Sequence, residues 1–588
     1  MKIKHFFGLA VIAAMTASCS SNEDLGTAGP GTGTNEAGVG YATFTINLPS
    51  TNGTRAGNPT YEQGTSDEYD VNDVTLLIFQ KTATSKSEDE YTFVEKADLG
   101  NMAPWKDENN SDGITASATI TAKLNNVALT SEGSTSDYYA LAILNNKNSA
   151  DENKITLPTS SPTSPVTYGS WNAANNADEA KFKDNKKGFY MANAPVFVAD
   201  GEPTTLVNID KVYATKQKAE TNAATTIHVE RGLAKVSIAS NAFPSTALKP
   251  TGTKYNEDEV KITAWNLDVT NKSTFPIHKT AGLKNTNFPT IWNNTTSASG
   301  ASVNRFVDGL NPSFKRVHWG IDPNYSDDLT TVAACEGKFN ILNANATIDG
   351  AADKPQYCLE NTFDINHMKQ GQTTRVVFKA KYKPNGFSDD ETFYKIGNNT
   401  DLWNKTKLEE QIKAKALEVL GKESATNKVE VDLKAADNNI EENAGTKILK
   451  EANVQHNGAN VAPEEIKAIN EKLGLKAAGT DPIVGIATYK SGESYYIARI
   501  KHFGDLTPWA EGDETYGTNN DENNTKYLGR YGVLRNNWYE LTIGSVSGPG
   551  TPDVPTIKPD EPDDESYKYI SVSVKILSWA KRSQNVNL

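Results

Sequence analysis

Short runs in which every second residue is apolar most limit what this chain can become. Ala42, Phe44, Ile46 and Leu48 alternate with Thr43, Thr45 and Asn47, a period of two that sends one set to each face of a strand. Ala118, Ile120, Ala122 and Leu124 repeat the pattern. Further apolar runs at Val71–Phe79, Tyr138–Leu144, Phe189–Phe197 and Thr204–Val212 are parted by polar loops. Many short strands at such spacing predict a sandwich of packed sheets. The composition agrees: 42 Gly, 25 Pro and 23 Tyr, with only 37% of residues apolar, suit strands joined by long wet loops better than a helical bundle.

The pattern restarts near residue 225. Ile227–Ile238 reads as one strand whose inward set changes parity near Gly232, as a β-bulge would cause. Val260–Val269 follows it, much as Val71–Phe79 follows Tyr41–Leu48. Two successive sandwiches are therefore expected, over 56–224 and 225–547. The second gains strands at Thr373–Tyr382, Ile483–Tyr489, Ser494–Lys501 and Val533–Ile543. Glu-, Lys- and Ala-rich runs at Trp403–Leu420 and Pro463–Leu473 predict helices in an insertion over 403–473. A Pro/Asp-rich stretch, 548–565, reads as a linker to a last segment, 566–588. There Ile570, Val572, Val574 and Ile576 share one strand face, and Leu577 and Trp579 switch parity as after a bulge.

The first residues predict export. Lys2 and Lys4 precede an apolar core, Phe6–Met15, too short to span a bilayer. Small residues then lead to Cys19, the acceptor position of a bacterial lipoprotein signal, with Thr16 standing where Leu is usual. Residues 1–18 are the expected signal peptide, Cys19 the lipidated residue, and the Gly-rich stretch 20–40 a flexible tether. No later run approaches 18 apolar residues, so the precursor's lipid is the expected membrane attachment. After Leu48, the polar run Pro49–Asn58 holds Arg55 and Ala56 in a form open to an arginine-specific protease. The stretch 19–55 then reads as a propeptide.

Several functions are disfavoured. The net charge is −14 and survives loss of residues 1–55, where Lys2, Lys4 and Arg55 balance Glu23, Asp24 and Glu36. Such an acidic chain does not suit nucleic acid. The seven histidines are scattered without metal-ligand spacing, and no H-E-x-x-H, G-x-S-x-G or phosphate-binding loop occurs. Acidic runs at Asp107–Gly113 and Asp513–Asn524 miss the EF-hand spacing and read as solvated loops. No metal, cofactor or enzymatic activity is expected. Trp509 and Trp538 offer a sugar platform, although core tryptophans are the commoner case. Cys335 and Cys358 have two readings. They pair, closing a loop of about 24 residues worth ~3 kcal/mol, or they stay as two buried thiols.

The lipoprotein start, the strand ending shortly before Arg55-Ala56, VERGLAKVSI, YCLENTF (Tyr357–Phe363), YGVLRNNWYELTI (Tyr531–Ile543) and the terminal VSVKILSW…VNL together resemble the minor-fimbria shaft subunits, the fimbrillins or type V pilins. The resemblance spans nearly the whole chain and lies in the order of the motifs. It implies two tandem transthyretin-like Greek-key β-sandwiches and assembly by strand exchange. An arginine-specific protease would cut between Arg55 and Ala56. That cut would discard the strand carrying Phe44, Ile46 and Leu48. The freed groove would take the donor strand of another copy, with Ile570, Val572, Val574, Ile576 and Trp579. Implied partners are copies of itself, anchor and tip subunits, and a host or bacterial surface receptor. The implied place is a cell-surface fimbria supporting adhesion and biofilm, reached through a precursor lipid-anchored at the outer membrane. Two further readings stay open: a tip or accessory adhesin of such a fimbria, or a lipid-anchored carbohydrate-binding surface protein.

Overall fold

The computed structural model describes residues 39–49, 65–82, 87–100, 106–107, 114–147, 151–159, 161, 163–184, 188–196, 203–239, 243, 247–252, 254–281, 283, 317–364, 366–477, 484–502, 529–563 and 570–578. The chain is mainly β. Its first sandwich contains β1 (Gly40–Pro49), β2 (Val74–Gln80), β3 (Thr92–Gly100), β4 (Ile114–Leu124), β5 (Tyr138–Leu144), β6 (Met191–Asn193) and β7 (Thr225–Arg231). They pair in the order β3-β2-β5-β6-β7-β1-β4. Strand β7 turns the path: Thr225–His228 pair with β1, and Val229–Arg231 with β6. The buried cluster of this sandwich takes Phe44 and Ile46 from β1, Leu76 and Ile78 from β2 and, on the opposite face of the β2–β5 pair, Leu141 and Ile143 from β5. The strands expected from alternation are present as β1 and β4, and the apolar run Tyr138–Leu144 is present as β5, buried along nearly its whole length.

The sequence pattern hides β3. Its inward set includes Glu95, which is buried and accepts the N–H groups of Asn125 (2.9 Å) and Asn126 (3.0 Å). A capped carboxylate replaces an apolar residue there, so the alternation fails while the strand persists.

The second sandwich packs a sheet β10-β8-β15-β16 on a sheet β9-β11-β14. These are β8 (Ala234–Ile238), β9 (Glu259–Asp268), β10 (Gln356–Cys358), β11 (Arg375–Lys383), β14 (Glu493–Arg499), β15 (Asn537–Val546) and β16 (Ile570–Ser578). Val236, Ile262, Phe378, Tyr496, Tyr539 and Leu541 build its core. Between β11 and β14 lie β12 (Phe393–Ile396), α1 (Lys405–Leu420), α2 (Pro463–Lys472) and β13 (Ile486–Tyr489). Asn404 caps α1 by accepting the Lys407 N–H at 3.0 Å, and Gly421 ends it at φ 92°. Leu408, Ile412 and Ala416 face Ile466 and Ile469 of α2 in a separate core that also holds Ile396 and Ile486. The insertion therefore runs from β12 to β13, wider than the expected 403–473. Because β11 and β14 are antiparallel neighbours, it leaves and rejoins the sandwich at one end.

Three further expectations change. Ile227–Ile238 is not one bulged strand: β7 belongs to the first sandwich and β8 to the second, so the boundary lies at Gly232-Leu233 and not at 225. Gly232 is required at this crossing, because a Cβ there would lie 2.2 Å from Phe182 Cδ1. The expected bulge at Ile576-Leu577 is absent, since pairing with β15 runs unbroken from Val572 to Ser578. The shift falls on the partner, between Ile543 and Ser545.

The 548–565 stretch is no free linker. Val554 and Ile557 are buried, and the hydroxyls of Tyr496 and Tyr489 donate to Gly548 O (2.8 Å) and Gly550 O (3.0 Å). Tyr495 and Thr551 exchange backbone hydrogen bonds at 2.9 Å. Arg375 donates to Pro555 O, and Thr373 to Asp563 at 2.9 Å. Proline and aspartate here make a strap pinned along the sandwich as far as Asp563.

Candidate functional site

The most unusual element is β1. It is not an edge strand: its whole length from Gly40 to Pro49 pairs antiparallel with β4, while Phe44–Asn47 pair parallel with Thr225–His228 of β7. It therefore fills a slot between two strands that do not pair with each other. Ala42, Phe44, Ile46 and Leu48 are each 0% exposed, and a fully buried side chain of this size contributes roughly 1.5–3 kcal/mol. On the outer face Thr43 and Thr121 share a hydroxyl hydrogen bond at 2.8 Å, and Thr45 and Thr119 one at 2.9 Å. Such cross-strand pairs fix register. At the mouth, Tyr41 and Tyr213 exchange backbone hydrogen bonds at 2.8 Å. A Cβ on Gly40 would come within 2.3 Å of Val212 Cγ1, so the slot narrows there to bare backbone.

Without β1, two rows of backbone N–H and C=O groups and an apolar floor would stand open. That is a template for strand addition.

The second feature is β16, which among the described residues is the outermost strand of its sheet, paired with β15 only. Its register places Ile570, Val572, Val574 and Ile576 opposite Val546, Ile543, Leu541 and Tyr539. Those four partners are buried, with Ile543 the most exposed at 9%. The backbone of the last segment is therefore laddered to the chain's own second sandwich.

Cys19, Arg55, Ala56 and Trp579 lie outside the described residues. Cys335 and Cys358 are both free and buried, so the disulfide reading gives way to the two-thiol one. They sit in different clusters, Cys335 with Val269 and Phe339, and Cys358 with Val236 and Trp265. Burial pushes both thiols above their ordinary range. Among the described residues no group of three His, Cys, Asp or Glu side chains is placed to hold a metal ion. Trp538 is not a free platform: its Nε1–H donates to Ser237 Oγ at 2.7 Å, and Lys235 Nζ lies 3.9 Å above its ring.

A polar clamp between the sandwiches has no sequence signature. Glu68, from the helical turn Ser66–Tyr69, meets Lys235 of β8 at 2.7 Å. Burial pushes the Glu68 carboxyl up, but the Lys235 ammonium and the Tyr357 hydroxyl outweigh it and hold it below the usual range. Arg231 Nε donates to Glu68 O at 2.6 Å. Nearby, Glu230 meets His278 at 2.8 Å, and Asn172 trades two hydrogen bonds with the Ile277 backbone, at 2.9 and 3.1 Å. These partners lie 48 to 289 positions apart in the sequence, from Glu230 and His278 to Glu68 and Tyr357, and only the fold brings them together.

Comparison with known proteins gives one informative match. Residues 487–585, which hold β14, β15 and β16, match the family model of the major fimbrial subunit protein type IV, fimbrillin, C-terminal. No curated protein matches the chain. Among solved structures it is similar to a candidate cell adhesion protein of Parabacteroides distasonis, at 11% identity and a TM-score of 0.36 over 92% of this chain and 99% of that one. A candidate cell adhesion protein of Bacteroides eggerthii shows 12% identity and a TM-score of 0.32, over 93% and 98%. A fimbrial assembly protein of Parabacteroides distasonis shows 9% identity and a TM-score of 0.26, over 58% and 84%.

Proposed function

We infer, from a chain that belongs to the fimbrillin family through its residues 487–585, that it polymerises by replacing its own β1 with the β16 segment of another copy. A fimbrillin is a structural subunit of a cell-surface filament and not an enzyme. The observation that carries the finer reading is the placement of β1, bonded on both sides between β4 and β7 and floored by apolar residues. A strand so placed cannot leave without another taking its place, because the vacated ladders and floor would be left exposed. The β16 segment has the apolar face such a slot requires, and among the described residues it is laddered to its own sandwich through β15 only. Slot and donor lie on different sandwiches, so the contact is heterologous and propagates into a filament.

In this reading the precursor is exported, lipidated at Cys19 and held at the outer membrane. An arginine-specific protease cuts after Arg55, and residues 19–55 depart with β1. Two tandem transthyretin-like Greek-key sandwiches form the repeating body. Anchor and tip subunits of the same fimbria, and a host or bacterial surface receptor, complete the assembly that supports adhesion and biofilm.

Mass spectrometry of filament subunits tests the cut, with Ala56 as the expected first residue; a lipidated Cys19 there would speak for a lipid-anchored binding protein. Arg55→Ala, or deletion of 569–588, should abolish filaments seen by electron microscopy. Filaments that persist in either variant overturn the reading. One observation favours a second role, as tip or accessory adhesin: β16 is seated at home on β15, where a subunit that never donates would keep it. Immunogold labelling along the whole filament speaks for the shaft, and labelling at its end alone for the tip.

A further inference from the structure

The segment that fills the slot and the segment proposed to replace it carry one pattern. Tyr41-Ala-Thr-Phe-Thr-Ile-Asn-Leu48 and Tyr569-Ile-Ser-Val-Ser-Val-Lys-Ile576 each read tyrosine, apolar, hydroxyl, apolar, hydroxyl, apolar, polar, apolar. Resting on the strand-replacement reading above, we propose that the donated strand lies in the slot in the same direction as β1 and residue for residue in its register, Tyr569 taking the place of Tyr41, with Ser571 and Ser573 rebuilding the hydroxyl ladder against Thr121 and Thr119.

The slot admits no neighbouring register. A slip of one residue turns the apolar face outward. A slip of two in one sense puts Lys568 where Ala42 stands, and in the other puts Ser578 where Leu48 stands; both positions are 0% exposed. An unpaired ammonium or hydroxyl on that apolar floor costs several times what a ladder bond returns. In the proposed register Ile570, Val572, Val574 and Ile576 replace Ala42, Phe44, Ile46 and Leu48. Lys568 falls on the Gly40 position, where a Cβ would lie 2.3 Å from Val212 Cγ1. Pairing therefore begins at Tyr569, opposite the Tyr213 backbone.

Direction is the second part. A strand entering the other way round also offers its apolar face, pivoting on Ser573 against Thr119. It would set Ser571 against Ser117 and Lys575 against Thr121; burial of Lys575 does not separate the two directions, because it falls on the Thr43 position (9% exposed) in this one and on the Asn47 position (5% exposed) in the other. The same direction as β1 keeps both hydroxyl pairs and the Tyr41-like start. It also keeps the parallel ladder to Thr225–His228 that this slot is built for.

Thiol crosslinking in assembled filaments reads both parts. A chain carrying S571C and T121C is compared with one carrying S571C and S117C, using a reducible linker of about 5 Å, close to the gap between directly opposed residues. Thr121 and Ser117 lie about 13 Å apart along β4, beyond that reach. The two native internal thiols are buried and do not compete. The expected result is a ladder of covalent multimers for T121C that collapses on reduction, and monomer for S117C. Multimers in S117C reverse the direction, and filaments without crosslinks in either reject the register; both overturn this proposal while leaving strand replacement standing. Filaments that form without residues 569–588 overturn both. Should the double variants not assemble, a synthetic peptide of residues 569–588 carrying S571C, offered to trimmed T121C or S117C chains, gives the same readout one link at a time. A peptide that fails to join T121C rejects the proposal.

Discussion

Glu68 and Lys235 meet at 2.7 Å across the junction of the two sandwiches, with side chains 1% and 5% exposed. Two ions buried this deeply have given up their hydration, so each depends on the other. Glu68→Ala or Lys235→Ala should each cost about 3–5 kcal/mol in unfolding free energy, because one uncompensated charge stays buried. Replacing both with Met should recover most of that loss. Urea denaturation of the single and double variants checks this; a double variant no better than the sum of the singles would place the stabilisation elsewhere.

Phe44→Ala separates the precursor from the filament. In the precursor Phe44 is 0% exposed, and the truncation should lower stability by about 3–5 kcal/mol. In filaments built from chains cut after Arg55, position 44 is gone, so their thermal dissociation should match that of the unsubstituted protein. Filaments that weaken alongside the precursor would mean β1 is still present in them.

The parts of this architecture that were legible are those where one physical signal acts alone. Strands β1 and β4 carry an apolar residue at every second position, so alternation finds them, and β5 stands out as a short apolar run between polar loops. The two helices of the insertion carry charges and apolar residues at helical spacing. Reading failed where a polar group does an apolar group's job, as Glu95 does in β3. It failed again where one run serves two bodies, as at Gly232 between β7 and β8. The slot itself could not be read: that β1 pairs parallel with Thr225–His228, some 180 positions away (45 to 226 at one pair), is a long-range fact. Pro and Asp in 548–563 suggested a free tether because local composition says nothing of the tyrosine hydroxyls waiting on β14 and β13.

Cys335 and Cys358 should be silent in the native trimmed protein. Both are buried, and burial raises both thiols, so little nucleophilic thiolate is available. A chromogenic thiol reagent should find none in buffer and both in guanidinium chloride, with or without prior reductant. Thiols that appear in denaturant only after reduction would restore the disulfide.

Asp322 should make stability depend on pH. It is 2% exposed, and burial raises its carboxyl from 3.8 to about 7 despite N–H donors from Thr362 and Asn324 and the Asn271 amide. Between those two values the folded chain holds a proton that the unfolded chain has released, so stability falls as pH rises from about 4 to 7. The full effect is on the order of 4 kcal/mol at 1.36 kcal/mol per pH unit. Melting curves across this range should flatten in Asp322→Asn. An unchanged slope in that variant would assign the pH dependence to other groups.

The strap and the strand beyond it should part company on assembly. Thr551 is fastened to Tyr495 by two backbone hydrogen bonds, and Gly548 and Gly550 by tyrosine hydroxyls, all within the second sandwich. Strand β16, in contrast, is laddered to β15 alone among the described residues. If β16 is what leaves, β15 becomes an edge and those of its amides that face β16 should exchange with deuterium faster in filaments than in the precursor. The Thr551 amide should stay protected in both, because nothing that holds it has moved. Tyr496→Phe, which leaves the Gly548 carbonyl without its donor, should loosen the strap by about 1–3 kcal/mol and raise exchange at Thr551 before assembly. Equal acceleration at Thr551 and in β15 on polymerisation would instead mean that the chain peels away from Gly548 onward. The mobile arm would then include the prolines of the strap, giving the donated strand a longer reach to its neighbour.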